Sequence, residues 1–81
     1  MNEQDLELLK QVTLLGIYKK KPEESLNDVR LMLVDTGMYD AKESKKIFKL
    51  LKDEKYIIDG ALSLKGITTA KEAEILFKQY G

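Results

Sequence analysis

The chain has 81 residues, 14 acidic and 14 basic, and a formal net charge of zero. A chain of this length is expected to form one domain, residues 1–81, with a thin core. It contains no cysteine and no histidine. That excludes a disulfide framework, a Cys- or His-based metal centre and a histidine acid/base.

The two halves differ slightly in charge. Residues 1–36 carry seven acids and five bases, residues 37–81 seven acids and nine bases. No Gly-rich phosphate loop or metal-ligand spacing is present and no pair of carboxylates stands apart. The chain is therefore read as a non-enzyme without cofactor or metal. Its longest aliphatic run, Leu31 to Val34, is far too short to span a bilayer, and no targeting segment is visible. A cytoplasmic protein is the expectation, with no membrane partner.

The first element is a helix from Asn2 to about Tyr18. Asn2 is placed to cap it, and Glu3, Asp5 and Glu7 suit the positive end of its dipole. Leu8, Val12 and Leu15 share a face, widened by Leu6 and Leu9. Lys19, Lys20 and Lys21 suit the negative end, and Pro22 stops the helix. Residues 22–25 are a short connector.

Ser25 starts the second helix, with Asp28 completing a capping box. Leu26, Val29, Met32 and Leu33 make its apolar stripe, and the helix is expected to end near Thr36 with Gly37 as a left-handed terminator. Two helices separated by three or four residues including glycine have the spacing of a helix-turn-helix.

The third helix runs from Ala41 to about Glu54, capped by Asp40 with Glu43 three residues on. At about 100° per residue, Ile47, Phe48, Leu50 and Leu51 share one arc with Ser44 between them. Lys42, Lys45, Lys46, Lys49 and Lys52 fall on the opposite arc, with only Asp53 among them. Any surface helix needs a polar face, and lysine is a good helix former. An ordinary solvated face, however, mixes signs at i and i+4. Like charges at that spacing cost a few tenths of a kcal/mol per pair, which points to an anionic partner.

Tyr56-Ile57-Ile58 is β-rich, and Asp59-Gly60 is the favoured loop of a two-residue type I′ hairpin. Ala61-Leu62-Ser63-Leu64 returns, with Leu62 and Leu64 on one side. Gly66 breaks the pattern. Thr69-Ala70-Lys71-Glu72 is a capping box for a last helix from Ala70 to about Gln79. Ala73, Leu76, Phe77 and Tyr80 line one face of it.

The predicted order is helix, helix, helix, hairpin, helix: mainly α with a small β-hairpin. That order and the segment from Ile47 to Gly66 resemble the winged helix-turn-helix superfamily. Its members close a recognition helix with a Leu-Leu pair, here Leu50-Leu51. A short polar step follows, here Lys52 to Lys55, then an apolar strand, here Tyr56 to Ile58. The hairpin returns through a Leu-Ser/Thr-x-x-Gly segment, here Leu62-Ser63-Leu64-Lys65-Gly66. The resemblance covers roughly residues 5–80 and identifies no subfamily.

It implies a three-helix core, a short two-stranded wing, a C-terminal helix and a DNA-binding role in transcription regulation. In such proteins the third helix enters the major groove and the hairpin touches the backbone or minor groove. Carried onto this chain, Lys42, Lys45, Lys46 and Lys49 face double-stranded DNA, with Lys52 near the edge. Lys65 is the one basic contact from the hairpin. The first or last helix is the place for a homodimer contact.

Two departures shape the expectation. The hairpin tip is Asp59, which phosphate repels. The single arginine, Arg30, lies on the second helix, so the bidentate guanine contact typical of arginine is missing from the third. Binding is therefore expected to be backbone-driven and salt-sensitive. The alternative is a winged-helix interaction module whose lysine face docks on an acidic protein, or that mediates dimerisation, because a fold does not fix a function. A four-helix bundle with residues 56–64 as an extended loop is the alternative fold.

Overall fold

In the computed structural model, which describes residues 3–80, four helices surround one apolar core and a small antiparallel hairpin lies against them. Side chains are described from Asp5 to Gln79, so the expected Asn2 cap and the Tyr80 contact lie outside the described residues. The elements are α1 (Glu3–Lys19), α2 (Leu26–Asp35), α3 (Ala41–Asp53), β1 (Ile57–Ile58), β2 (Ala61–Leu62) and α4 (Leu64–Tyr80). Among the described residues no helix is long and apolar enough to cross a membrane.

The core is built from Leu14 and Ile17 of α1, Val29 and Leu33 of α2, Ile47, Phe48 and Leu51 of α3, Ile57 of β1 and Ala70 of α4. Tyr39, between α2 and α3, joins it. The Thr13 hydroxyl donates to the Leu9 carbonyl, so the Tyr39 hydroxyl, 2.9 Å away, donates to Thr13. This satisfies the one polar atom that the tyrosine carries into the interior.

The buried side of α1 differs from the expected stripe. Thr13, Leu14 and Ile17 are buried together with Lys10, whereas Val12 and Leu15 are half-buried and Leu8 is exposed. Apolar residues lie around most of the circumference of this helix, and α4, α2 and α3 all pack against it. Its neighbours, not its own periodicity, select the inner face. Likewise Met32 of α2 is exposed while Val34 is half-buried.

The helix ends follow local chemistry closely. Ser25 caps α2 with a complete capping box: its hydroxyl accepts from Asp28 N–H at 3.1 Å, and the Asp28 carboxylate accepts from Ser25 N–H at 2.8 Å. At the other end, Gly37 has φ 81°, its N–H bonds Val34 O and the Met38 N–H bonds Leu33 O. That pair of bonds is a Schellman closure around a left-handed glycine.

α3 closes in the same way, with Lys55 N–H bonded to Lys52 O and Tyr56 N–H to Leu51 O. Here the left-handed residue, φ 66°, is Lys55 rather than glycine. A side chain in that region costs about 1–2 kcal/mol, and glycine loses part of that gain to its freer unfolded chain. Lys55→Gly is therefore expected to stabilise the fold by about 0.5–1 kcal/mol in urea denaturation. A destabilised variant would show that the lysine stem contributes packing that outweighs the backbone term.

The hairpin forms as its loop predicts. Ile57 pairs with Leu62 and Ile58 with Ala61. Asp59 and Gly60 both take positive φ, 54° and 78°, as a type I′ turn requires. The sheet has two strands, and residues 22–25 contribute none.

The start of α4 is a correction. The helix begins at Leu64, not Ala70, and Thr69–Glu72 lies within it. The Ser63 hydroxyl accepts from Gly66 N–H at 3.1 Å, and Ile67 N–H reaches the Ser63 carbonyl, so Ser63 acts as the cap. Leu64 consequently lies on the exposed first turn rather than on a strand facing inward with Leu62. Gly66 does not break the pattern. It lets the first turn of α4 lie on the hairpin, because a Cβ there would stand 2.3 Å from the Tyr56 carbonyl oxygen. Further along, Ala73 is buried and Phe77 half-buried, while Leu76 is exposed.

Candidate nucleic-acid interface

The third helix organises the site. Asp40 caps it by accepting from Glu43 N–H at 2.7 Å. Ser44, Ile47, Phe48 and Leu51 are buried and Leu50 is half-buried, as the arc predicts. This inner face fixes the rotation of the helix, and the opposite arc must then point away from the core.

Lys42, Lys45, Lys46, Lys49 and Lys52 are all exposed. Among the described residues none of them has an acidic group within ion-pairing distance. From Lys42 to Lys52 the row spans about 15 Å of helix. Lys42 with Lys46, and Lys45 with Lys49, stand at the repulsive i, i+4 spacing. No ion pair among the described residues offsets that repulsion, although Glu43 lies three residues before Lys46 and Asp53 four after Lys49.

The row borders two different depressions. Lys45, Lys49 and Lys52 lie along a cleft of about 340 Å³ between α3 and α2, which also receives Asn27 and Arg30. Lys46 leans the other way, over a hollow that it shares with Leu6, Glu43 and Ile47. Arg30 was not among the residues singled out for binding. The signal was present in the sequence, since Arg30 lies four residues after the half-buried Leu26 and so borders the inner face of α2.

Lys65 stands apart from the other five. It belongs to the first turn of α4 rather than to the hairpin. Its ammonium donates to the Glu54 carbonyl at 2.8 Å and sits over the Tyr56 ring, 4.2 Å from the centroid. It is thus turned to the body of the protein, and the hairpin strands and their turn present Asp59 and no basic side chain.

Glu54, just after α3, is held from a second side as well. Lys10 of α1 pairs with its carboxylate and lies 5.5 Å from the Tyr56 ring centroid. Lys10 is only 8 % exposed. Burial pulls its ammonium down, but the hydrogen bond it donates to the Glu54 carboxylate and the charges of Glu54 and Glu7 together hold it above its ordinary value of 10.5. The folded chain therefore holds this proton more tightly than the unfolded chain. The stabilisation is complete below pH 10.5 and is lost as pH rises through the higher folded value.

Tyr39, raised above its ordinary value of 10.0 by burial despite its bond to Thr13, acts in the same alkaline direction. Denaturation midpoints are expected to fall as pH rises above 10.0, the ordinary value of Tyr39, and through 10.5, that of Lys10, and Lys10→Met should reduce that fall. An unchanged pH dependence in the variant would remove Lys10 as its source.

Comparison with known proteins gives no relative: no family model, no curated protein and no solved structure matches the chain.

Proposed function

We propose that the chain is a winged helix-turn-helix protein that binds double-stranded DNA through the outer face of α3, and that it acts as a small transcriptional regulator. The observation that carries this reading is the row of five exposed ammonium groups, none of them ion-paired with a carboxylate among the described residues. Lys42, Lys45, Lys46, Lys49 and Lys52 neutralise phosphates, and α3 has the dimensions to enter a major groove about 12 Å wide. The hairpin lies directly after α3, where a wing would sit. Lys65 is removed from the contact set because its ammonium is already engaged.

Lysine positions a helix on the backbone better than it reads a base, so the expected binding is weakly sequence-specific. Fluorescence anisotropy of a labelled duplex, titrated at several salt concentrations, tests the reading. With five phosphates neutralised, log K should fall against log salt with a slope of about −4 to −5. A slope near zero would overturn it.

One observation favours a second reading, an interaction module for an acidic protein. The wing carries Asp59 at its tip and no free cation, so it would meet a DNA backbone unfavourably. Recovery of a protein partner that resists nuclease treatment and is lost with the α3 lysines would favour it. Recovery of DNA alone would remove it.

A further inference from the structure

We propose that the cleft between α2 and α3 is a phosphate-binding subsite, in which Arg30 grips the phosphate oxygens and Lys45, Lys49 and Lys52 neutralise their charge. The inference rests on the anionic-partner reading of α3. It goes further by naming the chemical group bound, the place where it sits, and a residue on a different helix that holds it.

The state of Arg30 carries the argument. Its Nε and Nη2 donate to Asn27 Oδ1 at 3.2 and 2.8 Å, and its Nη1 donates to Ser44 Oγ at 3.1 Å. The Ser44 hydroxyl is buried and donates in turn to the Ala41 carbonyl at 2.6 Å, which leaves its lone pairs facing the arginine. The guanidinium plane is thus fixed from α2 and from α3 at once. Neutral oxygens, not carboxylates, do the fixing. Of the five N–H donors of an arginine, three are engaged here and two remain.

Asn27 fills the Nε/Nη2 edge, so a phosphate would meet this rigid guanidinium, which no carboxylate pairs among the described residues, at the one N–H left on Nη1 and the one left on Nη2. The surroundings agree with that ligand. Leu26 and Phe48 give the cleft an apolar floor, which strengthens a charge interaction relative to open water. Three lysines stand on its wall, and no acidic residue lines it. Its volume, about 340 Å³, is at the small end of ligand sites. The same phosphoryl chemistry is available from a nucleic-acid backbone and from free phosphates, and the two sources are separable by experiment.

The test is an NMR titration of the amide signals of the whole chain with pyrophosphate, and separately with a short DNA duplex, at constant ionic strength. Saturable pyrophosphate shifts centred on Asn27, Arg30, Ser44 and Lys49 are expected. Arg30→Lys, which keeps the charge and loses the fork, should weaken pyrophosphate binding about tenfold. That variant also loosens the tie to Ser44, so the exposed pair Lys49→Gln with Lys52→Gln serves as the second variant and should weaken binding severalfold. Lys71→Gln on α4 should leave it unchanged.

Shifts that spread evenly along residues 42–52 without saturating would overturn the subsite, as would pyrophosphate binding insensitive to both Arg30→Lys and the lysine pair. If pyrophosphate saturates the cleft and displaces the duplex, the subsite stands and holds a backbone phosphate. If pyrophosphate saturates the cleft and the duplex does not bind, the subsite stands for free phosphates while the nucleic-acid reading falls. If the duplex binds without moving the cleft signals and pyrophosphate does not saturate them, the subsite falls and the nucleic-acid reading stands.

Discussion

Reversing Lys45 and Lys49 together (K45E/K49E) is expected to weaken duplex binding on the order of a hundredfold at about 0.1 M salt, and to reduce the salt slope by about 2. Both side chains are exposed and have no ion-paired carboxylate among the described residues, so the fold has little to lose from the change. Surface substitutions of this kind usually stay within about 0.5 kcal/mol in stability. Each lysine removed forfeits one displaced counterion, and each glutamate added repels the backbone. Anisotropy titrations of the variant and the parent chain in the same buffer measure the difference. An unaltered affinity would place the contact surface elsewhere on the molecule.

Gly66→Ala is expected to destabilise the fold by about 3 kcal/mol, at the upper end of overpacking costs. For a chain of this size that corresponds to a loss of roughly 15 °C in Tm. The new Cβ would stand 2.3 Å from the Tyr56 oxygen and 3.1 Å from Leu62 Cδ2. The first of these is a backbone atom, so no rotamer change relieves the overlap. The first turn of α4 must lift, which strains the bond from Ser63 N–H to the Tyr56 carbonyl and the cap from Ser63 to Gly66. Urea denaturation checks the prediction, with exposed Thr68→Ala as the comparison that should move little. A Gly66→Ala variant as stable as the parent would mean that α4 docks on the hairpin less closely than described.

These two sites also show where sequence reasoning reaches and where it stops. The hairpin was legible because Asp59-Gly60 supplies two residues that tolerate positive φ, a purely local requirement. The cap at Ser25 and the terminator at Gly37 were legible for the same reason. Gly66 was misread because a glycine can mark either a break or a close approach, and only the position of the Tyr56 carbonyl distinguishes them. Thr69–Glu72 has the letters of a capping box, but the backbone was already helical from Leu64, capped by Ser63.

The lysine row followed from helical angle alone, since the apolar arc of α3 is unambiguous. The inner face of α1 did not, because its apolar residues allow several rotations and only contact with the other helices selects one. Lys65 was misplaced because its partners, the Glu54 carbonyl and the Tyr56 ring, come together only when α4 folds back on the end of α3. Arg30 was passed over because its value lies between two helices, and no single stretch of sequence contains that cleft.

The double hold on Glu54 has a consequence for recognition. Lys10 grips its carboxylate from α1, and Lys65 grips its carbonyl from α4. The tail of α3 is therefore tethered on two flanks, and the flap that follows it inherits the same anchorage. A molecule built this way presents a stiff template whose aim is set before any encounter, so little orientational freedom remains to be surrendered on association. It should discriminate by matching contour rather than by moulding itself to whatever it meets.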